Sequence, residues 1–541
     1  MIYLQKIYRL FLLFSLSLSV IQVHCKTTDC QTISQNFWLP RSFSSYRSRE
    51  YIDLQTHELQ KNTVHFSFEH MNSFGNDCQR LGSLPWWSGT STMTIGSNNG
   101  KSDLDAYQFG LGLIVLETGS ITLQPNVQHV GAEVLWKTRY NLDAPGAYGQ
   151  VKVPLGAMMI STRVVENHAQ LLAAQDPECT LYPLLSARFK TIQEALMANF
   201  EHRQPDYQFG RLCAGRNTVI RCGDIEVVAG YNFYVSKEGF FGAGFKLSCP
   251  TGNVPQAKFL LEPIFGRAGH WGVGAEFQGS YKVYENEHTK LHFSVNGDIL
   301  HLLPGRTPHW RSLDLKLNGS GSKYLLLQRY VPVLSTAGAT KGQEFRSPDL
   351  AITPAINITT VPVSSTIPVE GSVSLALAAQ RENWNAGLIV EFWGRAQECL
   401  QLDYLSISKF HDKYLNDYAV LGRQISRNYD TGTDLYLCEP KAKINKSADR
   451  KTTPGEDTVK GILDARDSKN RIPADYKDAL DIQRAQAPQA LTGKITTEFG
   501  YTWLESNIAP HISIFGGLEF ANKRSKFENL WSIGAQGSLS F

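Results

Sequence analysis

Hydrophobic and polar residues alternate with a period of two along much of the chain, most cleanly from Trp271 to Tyr284. Trp271, Val273, Ala275, Phe277, Tyr281 and Val283 fall on one face, and Gly272, Gly274, Glu276, Gln278, Ser280 and Lys282 on the other. That is a two-faced β-strand of about membrane-spanning length. After a short connection the pattern returns, with Leu291, Phe293, Val295 and Ile299 opposite His292, Ser294, Asn296 and Asp298. It recurs near residues 64–68, 107–113, 134–140, 151–155, 227–235, 241–247, 373–377, 388–392, 495–503 and 512–520. The polar faces hold Gly, Ser, Thr, Asn and Gln with a few charges, where a soluble sandwich would show Lys and Glu to water. The pattern predicts an all-β fold, a transmembrane antiparallel β-barrel with a wet interior and an apolar exterior.

Turn lengths test that reading independently. Counting back from a last strand ending at Phe541, the connections near 504–508, 381–385, 318–322, 285–290, 236–239 and 143–147 fall at one end, and all are short. The stretches 162–223, 251–268, 332–370 and 398–489 fall at the other end, and all are long. Short periplasmic turns and long extracellular loops are the arrangement of outer-membrane barrels. This parity requires a strand near Leu313, Leu315 and Leu317, and gives about sixteen strands, within about twelve to eighteen, starting near Thr92–Ile95. The expected organisation is a signal peptide over 1–25, a periplasmic or pre-barrel segment over 26–89 with room for one strand at Val64, Phe66 and Phe68, and a barrel over 90–541 with long outer loops 162–223, 332–370 and 398–489. Helical spacing of Ile192, Ala195, Leu196 and Phe200 predicts a short helix over Thr191–Phe200. The run Lys441–Lys469 reads as a solvated segment.

Composition narrows the function classes. With 53 Lys+Arg against 50 Asp+Glu, the formal charge of +3 lacks the basic excess of a nucleic-acid binder. A charged start, Lys6 and Arg9, precedes the apolar run Leu10–Ile21, as in a secretory signal, with cleavage expected after Cys25. No later stretch is long and apolar enough for a membrane helix. Of nine cysteines, removal of Cys25 leaves an even number in an exported chain, which favours disulfides over metal. Cys213 with Cys222, and Cys399 with Cys438, are the candidate pairs.

The most specific motif is the C-terminus. Trp531, Ile533, Ala535, Leu539 and the final Phe541 alternate with Ser532, Gly534, Gln536, Ser538 and Ser540. This resembles the C-terminal β-signal of bacterial outer-membrane barrels, in which a terminal aromatic residue closes an alternating strand. The resemblance implies recognition of Trp531, Leu539 and Phe541 by the barrel-assembly machinery and placement in the bacterial cell outer membrane. It is architectural over roughly residues 90–541. The order of elements, with Gly244–Asn253, also resembles uncharacterised outer-membrane proteins of intracellular, amoeba-associated bacteria, which adds no activity.

Projected onto the polar face, the strands offer Lys137, Arg139, Lys152, Lys246, Lys282, Arg329, Arg395 and Lys494 as basic lumen residues. Glu133, Glu226, Glu276, Asp298, Glu391, Glu498 and Glu519 are the acidic ones. Their near-balance predicts weak ion selectivity. Nucleophile-elbow, Walker and His-Glu-x-x-His patterns are absent from the sequence. His511, Ser513 and Glu519 share one polar face, an arrangement common in a wet lumen, so no enzyme, cofactor or metal is expected. The sequons at Asn318, Asn357 and Asn445 carry no weight in a bacterial barrel. The expected function is passive diffusion of small hydrophilic solutes past an eyelet made by an inward-folded loop 162–223, with lipid as the surroundings and a homo-oligomer as one arrangement. The alternative is a surface adhesin or structural envelope protein anchored by the barrel.

Overall fold

Alternation produces strands, and the strands close on themselves. The computed structural model describes residue 35 and residues 38–50, 62–74, 79–96, 102–105, 119–140, 144–167, 191–197, 207–213, 215–333, 345–410, 415–427, 434–438, 443, 472–506, 508–522 and 526–541. The expected signal peptide lies outside the described residues. A closed antiparallel barrel of 12 strands forms the body. In chain order these are β1 (Asn62–Ser73), β2 (Gly119–Arg139), β3 (Gly146–Asn167), β4 (Ile225–Ser236), β5 (Gly239–Cys249), β6 (Trp271–Glu285), β7 (Thr289–Leu303), β8 (Thr360–Arg381), β9 (Trp384–Arg395), β10 (Ala490–Thr502), β11 (His511–Ala521) and β12 (Leu530–Ser540). Each pairs with its neighbours in sequence order, and β12 pairs with β1 to complete the ring. The last contact is a reciprocal pair of 2.9 Å backbone hydrogen bonds between Asn62 and Phe541. Closure leaves no open edge, which is what a strand-built membrane protein requires.

The alternation has the inverted polarity expected of a barrel in lipid. Phe66, Phe68, Trp136, Phe245, Phe392 and Ile514 are exposed, while Ser67, Glu69, Lys246, Glu391 and Ser513 between them are buried. Tyr140, Tyr231, Tyr281, Trp384, Tyr501 and Trp503 project near the end that carries Asn62 and Phe541, where an aromatic girdle belongs. No helix among the described residues is long and apolar enough to cross a membrane.

Three strands overrun the others. The 21 residues of β2, 22 of β3 and 22 of β8 extend past the belt at the end opposite the termini. There β2 pairs with Thr92–Gly96, β3 with Arg216–Cys222, and β8 with His309–Ser312 and Cys399–Leu402. Around these extensions the long connections build an outer layer with its own apolar core, including Trp86, Ile192, Leu313, Tyr324, Ile358 and Leu480.

The count of about sixteen strands is thereby corrected to twelve. Residues 119–139 form one strand, so no turn divides them. Thr92–Gly96 belongs to the outer layer, and the barrel starts instead at the Val64–Phe68 alternation. Leu313 and Leu315 are buried in the outer core, where only Asp314–Leu315 is extended and pairs with Leu480–Asp481. A period of two marks a strand without saying which of its faces meets lipid. Five of the six short turns sit at the end bearing both barrel termini, and the one near 318–322 lies opposite. A short helix spans Ile192–Met197. The segment Lys441–Lys469, apart from Lys443, lies outside the described residues, as does the alternation at 107–113.

Candidate functional site: a lumen filled by charge pairs

Inward positions on the strands are small or polar, so the barrel interior is left with room and charge. A segment ahead of β1, Trp38–Glu50, fills the middle of it, and every one of its residues is buried. Its sequence, Arg41-Ser-Phe-Ser-Ser-Tyr-Arg-Ser-Arg-Glu50, is too polar to hold together by apolar burial, and it is pinned by the wall instead. Two single-turn 3₁₀ helices, Phe43–Ser45 and Ser48–Glu50, coil it tightly enough to send arginines in different directions.

Arg41 bridges Glu391 on β9 and Glu519 on β11, the latter at 3.0 Å. Arg47 bridges Glu276 on β6 at 3.0 Å and Asp298 on β7 at 2.6 Å. Arg49 lies 3.6 Å from both Glu69 on β1 and Glu133 on β2. Glu50 receives Lys152 of β3, and its other oxygen accepts from Asn296 at 2.8 Å. Ser44 donates to Glu226 of β4, and Tyr46 donates to Glu519 at 2.8 Å. The segment thus touches strands on all sides of the lumen. Burial acts to raise the Glu50 carboxyl, yet Arg47, Lys152 and Lys246 overcome it and hold it down at about 2. The Arg41 and Arg47 guanidiniums, which burial alone would discharge, are held charged by the carboxylates around them.

Apolar contacts also seat the segment, with Trp38, Phe43 and Tyr46 in one buried cluster with Phe265, Trp393 and Phe527. Phe43 stacks on Phe265 with 5.8 Å between centroids and lies against Gly131 of β2, where a Cβ would meet the ring at 2.5 Å. Phe265 comes from the 250–270 connection, which folds into the outer mouth. Arg267 of that connection, also buried, donates to Glu226 and to Glu370 at 2.8 Å each. Below it, burial pushes Asp224 up to about 7 against the pull of Arg267 and two backbone N–H groups. Among the described residues, the loop that folds inward is therefore 250–270. The described parts of 162–223 join the outer apolar core through Ile192, Leu196, Tyr207 and Leu212 instead.

Ten of the eleven leading lumen candidates are buried: Lys137, Arg139, Lys246, Glu276, Asp298, Glu391, Arg395, Lys494, Glu498 and Glu519. Lys282 is the other, near the terminus-bearing end, where it pairs with Glu285 at 2.8 Å. Depth along the axis separates what projection had pooled. Lys137 and Arg139 lie toward that same end, and Arg395 at the outer rim donates to the carbonyls of Leu39 and Pro488. Arg329 sits in the outer layer on a strand paired with Phe345–Pro354. Around the segment, Lys152, Lys246 and Lys494 face Glu69, Glu133, Glu226, Glu276, Asp298, Glu391 and Glu519. The near-balance read from the sequence is corrected here: the middle wall is acid-rich, and the segment's arginines offset it. The missed residues, Arg41, Arg47, Arg49 and Arg267, lie outside strands, so alternation did not point to them. The arginine spacing just ahead of the first strand was the available signal.

Toward the terminus-bearing end the wall of β1, β10, β11 and β12 is polar. Side-chain atoms of Ser67, Ser513, Gln536 and Ser538 and one oxygen of Glu498 are buried there with no hydrogen-bond partner. Register places Ser67, Gln536 and Ser513 side by side across β1, β12 and β11. His511 does not join Ser513 and Glu519: its Nδ1 meets Thr502 at 2.8 Å, its Nε2 lies 3.7 Å from Glu498, and Glu519 is taken by Arg41, Tyr46 and Thr492.

Among the described residues one group has metal-ligand character: donor atoms of His270, His309 and Glu398 lie within 4.8 Å of one another. Glu398 is already bonded to Arg311, Ser365 and the Ala487 N–H, so the carboxylate is committed to the protein. No disulfide is found among the described residues, which corrects the expected Cys213–Cys222 bridge. Cys222 ends an extended strand that starts at Arg216, and seven extended residues span about 20 Å, far beyond the roughly 7 Å limit for bridged Cα atoms. The side chain of Cys438 lies outside the described residues, so the Cys399–Cys438 pair does too.

No protein-family model and no curated protein matches the chain. Among solved structures it is similar to an outer membrane channel from Pseudomonas putida F1, at 10% identity over 89% of this chain and 96% of that one, with a TM-score of 0.34. It is also similar to the Pseudomonas putida toluene transporter TodX, at 8% identity over 94% and 99% with a TM-score of 0.25, and to a Pseudomonas aeruginosa FadL homologue, at 7% over 90% and 91% with a TM-score of 0.25. At those values the likeness adds nothing to what the strand pairing establishes.

Proposed function

We propose that the protein is an outer-membrane channel for small polar solutes, closed at rest by its own residues 38–50 and the inward loop 250–270. The observation that carries this reading is the polar wall around Ser67, Glu498, Ser513, Gln536 and Ser538. Buried polar atoms without protein partners require water or a polar solute, and a barrel serving only as an anchor has no need to keep them. An unobstructed diffusion pore is not compatible with a segment ion-paired across the lumen, so passage requires that segment to shift. The bacterial outer membrane is the setting that suits a closed barrel with this polarity, and Trp531, Leu539 and Phe541 on the closing strand support the β-signal reading. Exposed Leu539 and Phe541 present an apolar edge where β12 meets β1.

The test is planar-bilayer conductance of the refolded full chain beside a variant carrying Arg41→Gln, Arg47→Gln and Arg49→Gln. The full chain should insert with little conductance, and the variant should conduct steadily. A variant that inserts, with loop 250–270 also shortened, and still passes no current overturns the channel. The surface-anchor reading then takes its place, favoured by the separate apolar core of the outer layer.

A further inference from the structure

The three arginines of the segment do not pair one to one. Each lies between two wall carboxylates: Arg41 with Glu391 and Glu519, Arg47 with Glu276 and Asp298, Arg49 with Glu69 and Glu133. Within the wall these acids are near neighbours. Glu276 and Asp298 stand directly opposite each other on β6 and β7. Glu69 on β1 lies beside Gly131 in register, one inward position from Glu133. Like charges opposite or diagonal on a sheet are destabilising, more so when buried. Wall lysines answer part of that charge, Lys246 at 2.7 Å from Asp298, and Lys494 at 2.6 Å from Glu69 and in register between Glu391 and Glu519, and the arginines supply the rest. A planar guanidinium with its forked donors suits two facing carboxylates better than any other side-chain cation.

We infer that the solute is a cation bearing guanidinium or ammonium groups, that the carboxylate pairs are its sites, and that the arginines of residues 38–50 are a tethered competitor for them. This rests on the channel reading above. A free cation that takes one pair leaves an arginine unpaired in a buried lumen, which loosens the segment and admits the next cation. An anionic solute gains nothing from that exchange and meets the acid-rich wall. The pair Glu69 and Glu133 is the weakest link. Arg49 approaches it at 3.6 Å, beyond hydrogen-bond reach, and two of its own nitrogens have no hydrogen-bond partner.

Chemical rescue tests this on the full chain in detergent. Arg49→Ala and, separately, Arg47→Ala each remove the guanidinium from one pair, leaving Lys494 on Glu69 and Lys246 on Asp298. Millimolar methylguanidinium should raise the unfolding midpoint of either variant by about 2 °C or more, methylammonium should do so less, and acetate or the neutral methylurea not at all. The unsubstituted chain, its pairs already filled, should show no such rise. If the alanine variant does not assemble, Arg49→Gln keeps a polar side chain without the charge and carries the same test. Equal protection by methylurea, or none by methylguanidinium on a folded variant, overturns the inference. In bilayers, L-arginine amide should raise the open fraction of the unsubstituted chain and L-glutamate should not. Rescue without conductance would sink the channel and leave the cation sites standing. Conductance without rescue or cation preference would do the reverse.

Discussion

The barrel and the outer layer solve opposite problems with one chain. In the outer layer apolar residues turn inward, and Trp86, Tyr324, Ile358 and Leu480 make an ordinary dry core. In the barrel the same alternation is turned inside out: Phe66, Phe392 and Ile514 face outward while Glu69, Lys246 and Glu391 are enclosed. The first core coheres by burial, which is non-directional and insensitive to pH. The second is filled largely by charges, so it depends on each charge keeping its partner. The difference teaches that the lumen's filling answers to charge and pH in a way the outer core does not.

The largest effect should come from unpairing a lumen charge. Arg47→Ala leaves Glu276 and Asp298 facing each other with only Lys246 beside them and should cost about 3–5 kcal/mol, read as protease cleavage within residues 38–50 while far-UV circular dichroism keeps its β signal. Loss of the β signal together with segment release would mean that lumen and barrel are one unit. A dry-core truncation, Leu480→Ala, should cost about 2–5 kcal/mol and open the outer layer to protease without releasing the segment.

Acid should separate the two regions next. The folded Glu50 carboxyl, held at about 2, is below its ordinary 4.5, so its contribution is complete above 4.5 and is lost as pH falls toward 2. Segment release should therefore set in below about 4.5, and tryptophan emission from the outer core should not follow it. Asp224 runs the other way: its carboxyl is raised to about 7, so the stability it brings as a neutral group is lost as pH rises through 7. A volume change alone is a gentler probe. Gly131→Ala puts a methyl at the Phe43 ring and should loosen the segment by about 1–3 kcal/mol, seen as raised conductance. The smallest effect belongs to Lys282→Gln. Its pair with Glu285 lies at the exposed end, and its loss should change stability by under about 1 kcal/mol and leave the reversal potential unmoved.

Alternation, turn lengths and the closing aromatic strand determined a great deal by themselves. They are local properties, so the strands at 271–284, 291–299, 495–503 and 512–520, and five of the short turns, could be read off residue by residue. Which face of a strand is wet is not local, and that is why Leu313 and Leu315 passed for barrel wall until the outer core enclosed them. The inward placement of Glu276, Asp298, Glu391 and Glu519 followed from alternation, since a period of two fixes the face once one neighbour is known. Their depth did not, because the position of a residue along the axis depends on the register of every strand between. Only the register of β9, β10 and β11 brought Glu391 and Glu519 within reach of one guanidinium, and only the path of residues 38–50 put Arg41 there. The arginine spacing of a segment without periodicity marks it but does not place it, and its place is set by charges contributed from strands up to 478 residues away.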